Sequence, residues 1–328
     1  MFAIKNELVS RANLQVMRVL AIAAVIGFFY SSLLPASAVD TQKASTKRTT
    51  PLQLGVCFHN YEEYNPAAAK VLDDLRGAGS FWIRGDYEHP AKDAVFAKDM
   101  EKKKIKTLAL LVAYKKRSLA EWTKYVESEV KALPNVDAWE VHNEPEMTWW
   151  GGPTPAPEYI KMAKEAHRII KAANPNALVV GPAVGATAGG IKYLKQLIDG
   201  GVLDYLDAIS FHYYIFHKNL DVEGIKKVVA GRKPLWITET GWTVADQAGG
   251  EAAQAKYVRE YYDPEKGKLG SDPAIGVIFN YELNDDHFPL PKGKDDGWGL
   301  TCGAKGQFKR KQAYADFKAL VKKVNETK

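Results

Sequence analysis

Eight short apolar runs, each followed by a longer amphipathic stretch, pass along this chain between Leu54 and Val321. The short runs are Leu54 to Phe58, Phe81 to Arg84, Thr107 to Val112, Ala138 to His142, Leu178 to Gly181, Ala208 to His212, Leu235 to Thr238 and Ile275 to Asn280. Rich in β-branched and aromatic residues and bounded by Gly, Pro or Asn, they read as buried strands. Between them, apolar residues recur at helical spacing, as in Leu119, Trp122, Val126, Val130 and Leu133, or Tyr159, Ala163, Ala166 and Ile170. Tyr314, Phe317 and Val321 continue the pattern to the last helix. Strand and helix alternating eight times in this length predict an α/β fold, a single (β/α)8 TIM barrel. A doubly wound open sheet is the rival, weakened because no G-x-G-x-x-G turn follows the first strand.

The barrel is expected over residues 52–328, after a Thr-, Lys- and Ser-rich linker at 39–51. Ahead of it, Val19 to Tyr30 is apolar, follows Arg18 and precedes Pro35-Ala36-Ser37-Ala38, a small-residue site of the kind signal peptidases cut. Residues 1–38 are therefore expected to be a signal peptide, with Met17 as an alternative start. The apolar run is shorter than the ~20 residues a membrane span requires, so the mature chain is expected to be secreted or periplasmic, free of the membrane. Cleavage removes three cations and one anion, lowering the net charge from +6 to +4. The basic runs Lys102-Lys103-Lys104 and Lys309-Arg310-Lys311 are short and isolated, with no stripe suited to nucleic acid. The seven His show no ligand spacing, so neither metal nor cofactor is expected. Cys57 and Cys302 sit near the first and last barrel strands, and either a disulfide or two free thiols fits them.

Functional groups of such a barrel gather at the C-terminal ends of its strands. Two carboxylates fall there: Glu144, closing the fourth run, and Glu239, closing the seventh. Glycosidic bond cleavage needs such a pair, one to protonate the leaving oxygen and one to act as nucleophile or to activate water. Also at strand ends are His59, Arg84, Asn143, His212, Tyr214 and Tyr281. Trp149, Trp150, Trp242 and Trp298 offer aromatic faces to a pyranose. Glu88, Glu140, Glu146 and Glu282 read as ion-pair partners, and Arg84 could serve either the site or Glu140.

Asn143-Glu144-Pro145 on strand four and Glu239 on strand seven resemble clan A of the glycoside hydrolases. Trp82-Ile83-Arg84 and the His-x-Tyr of His212-Tyr213-Tyr214 match positions typical of the clan, and Leu54 to His59 looks most like family 39. The resemblance implies a retaining glycosidase with Glu144 as acid/base, Glu239 as nucleophile, Asn143 on the sugar 2-hydroxyl, and Arg84, His212 and Tyr214 around them. The partner implied is a polysaccharide or oligosaccharide; a carbohydrate-binding barrel without catalysis is the alternative. The chain departs from its relatives at His142, where an aromatic or small residue is common, and at Tyr281, where many have Trp.

Overall fold

The computed structural model describes residues 50–58, 64–77, 79–86, 90–112, 116–148, 153–245, 249–285, 297–303 and 306–326. Eight parallel strands close into a barrel in sequence order: β1 (Gln53–Cys57), β2 (Trp82–Asp86), β3 (Lys106–Leu111), β4 (Ala138–Val141), β5 (Leu178–Gly185), β6 (Ala208–Tyr213), β7 (Leu235–Thr240) and β8 (Ile275–Asn280). Closure is made by β1, which pairs with β2 on one side and with β8 on the other, Val56 lying opposite both Ile83 and Asn280. Helices α1 (Pro66–Arg76), α2 (Pro90–Lys102), α3 (Leu119–Ala132), α4 (Ala156–Ala173), α5 (Ala188–Asp199), α6 (Val222–Val229), α7 (Gly250–Tyr262) and α8 (Gln312–Glu326) follow the strands in turn. This is the (β/α)8 barrel that the alternation predicts.

Local chemistry starts these helices. Ser118 and Glu121 form a reciprocal capping box at α3, and the Asn65 and Asp221 side chains cap α1 and α6, satisfying amides that a helix N-terminus leaves open. Alternate strand residues face inward and outward. The inward set, including Cys57, Trp82, Leu108, Ala138, Val180, Ala208, Trp236, Val277 and Phe279, forms its own apolar cluster. Its Trp82 and Trp236 rings meet edge-on at 5.0 Å, plugging the barrel below the site. The outward residues, such as Ile83, Trp139, Val141 and Ile237, join the helices in the larger core.

Strand β5 runs four residues past its expected end at Gly181. Pro182 cannot donate to a ladder and signals a stop in sequence. Here the register shifts between Pro182 and Val184, Ala183 takes a positive φ of 58°, and the Ser210 hydroxyl accepts the Ala183 amide at 2.9 Å. A neighbouring side chain thus replaces the missing ladder bond, and pairing resumes at Val184 opposite Phe211, which brings Gly185 opposite His212. A short hairpin of β9 (Thr301–Cys302) and β10 (Lys309–Arg310), absent from the sequence reading, precedes α8. Cys57 and Cys302 are free thiols. The expected signal peptide and nearly all of the linker lie outside the described residues.

Candidate active site

Arg84, at the third position of β2, is fully buried inside the barrel. Its three guanidinium nitrogens each meet a different acceptor: Nε donates to Glu140 Oε2 at 2.6 Å, Nη1 to Glu239 Oε1 at 2.7 Å and Nη2 to Asn143 Oδ1 at 2.9 Å. Arg84 thus bridges Glu140 and Glu239 at once. Burial disfavours its charge, but Glu140 and Glu239 outweigh that and hold its pKa well above the ordinary value. Because a guanidinium only donates, the Asn143 oxygen must face it, leaving the amide NH2 to donate elsewhere. Glu140 is the ion-pair partner expected; its side chain is 0% exposed, whereas Glu239 and Glu144 are 11% and 13% exposed and so reach solvent.

Glu239, in β7, takes a second donor. The Tyr214 hydroxyl gives its hydrogen to Glu239 Oε2 at 2.7 Å, so both carboxylate oxygens are held and its rotation is fixed. Burial, then the charge of Glu239, pushes the Tyr214 pKa well above its ordinary range and keeps the phenol a donor. Beneath it, Cys57 is likewise kept protonated by burial and donates to the Thr238 carbonyl at 3.4 Å.

The end of β4 is shaped by left-handed backbone: His142 has φ 70° and Glu144 φ 43°. Such conformations are costly for residues with a Cβ and collect at functional sites. Burial lowers the His142 pKa to about 4, so its ring is neutral and Nδ1 accepts the Asn143 amide at 2.8 Å. That latch gives a physical role to a residue the sequence marked only as a departure.

His212 joins the two carboxyls. Its Nδ1 lies 2.9 Å from Glu144 Oε1 and 3.5 Å from Glu239 Oε2, so those oxygens are separated by at most the sum of the two distances, 6.4 Å. Burial opposes a charged imidazole, yet the Glu239 charge and the Glu144 hydrogen bond raise its pKa above the ordinary value. Glu144, Glu239, Arg84, Asn143, His212 and Tyr214 thus meet in one cluster.

An aromatic wall stands beside it. Tyr214 packs edge-on against Trp298 at 5.2 Å and Tyr281 at 6.1 Å, and Tyr281 meets Trp298 at 5.9 Å. Trp242 is placed differently: its ring lies 6.1 Å from Tyr257 of α7, and its carbonyl accepts from Gln254 at 3.0 Å. His59, Glu88, Trp149 and Trp150 lie outside the described residues.

Glu146 corrects the sequence reading. Its partner is a backbone amide rather than a cation: Oε1 accepts the Gly185 N–H at 2.7 Å, while Oε2 is buried without a hydrogen bond. Burial, only partly offset by that amide and reinforced by the Glu144 charge, raises its pKa to about 7. An acidic residue next to Pro145 carries no signal in sequence that it will fold back onto β5.

Residues 113–263, which hold Asn143, Glu144, His212, Tyr214 and Glu239, match the family described as "Glycosyl hydrolase catalytic core". Over that stretch the chain is similar to glycosyl hydrolase catalytic cores. Among solved structures, this hydrolase is similar to a GH39 β-xylosidase from Caulobacter crescentus (18% identity, TM-score 0.60, covering 84% of this chain and 72% of that one). It is similar also to the GH39 enzyme from Xanthomonas axonopodis pv. citri (17% identity, TM-score 0.59, 83% and 67% covered). A third likeness is the catalytic domain of GH30 xylanase C from Talaromyces cellulolyticus (11% identity, TM-score 0.59, 85% and 77% covered). At these identities the likeness is one of fold. No curated protein matches the sequence.

Proposed function

We propose that this glycosidase is a secreted, retaining enzyme that cuts β-glycosidic bonds of a polysaccharide by double displacement. The observation that carries the reading is the convergence of Glu144 and Glu239 on one imidazole nitrogen, which keeps their nearest oxygens within 6.4 Å. Retaining pairs stand about 5–5.5 Å apart, and inverting pairs about 6.5–9.5 Å.

In the first step a Glu239 oxygen attacks the anomeric carbon while Glu144 gives its proton to the glycosidic oxygen. The bond to the leaving sugar breaks as a glycosyl ester forms. In the second, Glu144 takes a proton from water, the water oxygen attacks the same carbon, and the ester bond returns its electrons to Glu239. Arg84 and Tyr214 hold the Glu239 carboxylate before and after attack. The amide NH2 of Asn143, aimed by Arg84, is suited to the sugar 2-hydroxyl. Tyr281, beside Tyr214 and Trp298, is suited to wall the sugar site. Export rests on residues 1–38.

The test is reducing-end release from a panel of β-linked polysaccharides by wild type and Glu239→Gln, with the anomer of the first product followed by NMR. Release by wild type alone, with the β anomer formed first, supports the reading. An α anomer overturns retention. No cleavage, with one glycan bound equally by both proteins, favours a carbohydrate-binding barrel.

A further inference from the structure

The turn after β6 carries a ring that the double displacement does not use. Phe216 is 47% exposed, while every other described Phe, Tyr and Trp is buried or half-buried. It is nonetheless fixed on several sides. Its ring stacks on Tyr214 at 5.3 Å with 29° between planes, meets Trp298 edge-on at 5.8 Å, and adjoins His217 at 4.5 Å. Tyr214 in turn donates to Glu239, so Phe216 stands two contacts from the nucleophile and continues the Tyr214, Tyr281 and Trp298 wall outward.

An apolar ring held in place but left facing water gains little for folding, because the benefit of an apolar side chain comes with its burial. It does present a rigid flat face, and ordering it costs a bound ligand little, since its neighbours have already restricted its rotation. The C–H face of a pyranose is complementary to such a surface. We infer that Phe216 is a platform for a further sugar ring of the glycan, at a subsite beyond the residue whose bond is cut. The inference rests on the polysaccharide-hydrolase reading and deepens it, because it makes the enzyme recognise a chain rather than a single terminal sugar.

The test compares Phe216→Ala, Phe216→Leu and Phe216→Trp on a series of β-linked oligosaccharides of increasing length and on an aryl β-glycoside of one sugar. For alanine and leucine, KM rises and kcat/KM falls by about three- to tenfold on chains long enough to reach the platform, with a smaller loss on the aryl glycoside. Tryptophan restores the length dependence, which a merely structural role for the ring does not predict. Losses equal at every length, or no loss at any, overturn the platform. Should wild type cleave nothing, the hydrolase reading fails by itself, and the platform is read by affinity electrophoresis in the same polysaccharides. Retardation of wild type that alanine abolishes supports it there, and equal mobility overturns it.

Discussion

Arg84 shows how much one side chain can organise. Its fork meets two carboxylates and an amide inside the barrel, a geometry that lysine cannot copy because it offers a compact point charge. Arg84→Lys is expected to lower kcat by about 10²-fold or more through misplacement of Glu239 and Asn143, measured on any substrate that wild type cuts. Arg84→Met goes further and strands Glu140 without its buried partner, a change that costs about 3–5 kcal/mol in thermal or urea unfolding. Glu146 governs pH behaviour at the same scale. Its folded pKa of about 7 exceeds the ordinary 4.5, so its contribution to stability is full below 4.5 and disappears as pH rises through 7. Glu146→Gln therefore flattens the fall in melting temperature across that window. The charges of Glu146 and Glu144 repel each other, so Glu146→Gln is expected to shift the pH profile of kcat. Identical pH profiles for the two proteins would contradict this coupling. The proposed roles of the two glutamates predict a further split: Glu239→Ala is expected to abolish turnover, while Glu144→Ala is expected to spare substrates with activated leaving groups, which need little protonation, as measured on aryl glycosides of good and poor leaving groups. Glu144, Glu239 and Arg84 were legible in sequence as types at strand ends; Glu146 was not, because its partner is a backbone amide on another strand.

Among the elements, the end of β5 does the most positioning. Gly185 supplies the amide that holds Glu146 and lies opposite His212 in β6. The start of α5 packs onto it so closely that a Cβ on Gly190 would fall 1.9 Å from the Gly185 carbonyl oxygen. Gly190→Ala is thus expected to shift the strand end, lowering both kcat and melting temperature. Gly189→Ala is the control: its Cβ would meet nothing nearer than 3.8 Å, and alanine in a helix gains up to about 1 kcal/mol over glycine. Differential scanning calorimetry of both variants separates crowding from helix propensity. Sequence periodicity found β5 but stopped it at Gly181, since Pro182 breaks a ladder unless something replaces its donor. The Ser210 hydroxyl that binds the next amide belongs to β6, so local pattern could not supply the answer.

The whole barrel depends on its plug. Trp82 is 2% exposed, meets Trp236 and Phe279, and donates from its indole to Gln53 at 2.9 Å. Trp82→Ala is expected to cost about 3–5 kcal/mol and to loosen the floor under Arg84, read as a lower urea midpoint with loss of near-ultraviolet circular dichroism. For the chain as made in a cell, export predicts a mature N-terminus at Val39, checked by intact mass of the secreted protein. The amino-acid order determined the barrel: alternating hydrophobic periods are local, and eight strand-helix units bury their apolar faces by closing. It also placed Glu144, Glu239, Arg84, Asn143, His212 and Tyr214 at the end where a site forms. Tertiary structure alone decided that one Arg84 serves both Glu140 and Glu239, that His212 brings an oxygen of Glu144 within 6.4 Å of one of Glu239, and that both cysteines stay free. Those are distances between residues remote in sequence, and they exist only once β1 pairs with β8 and fixes every strand end around one axis.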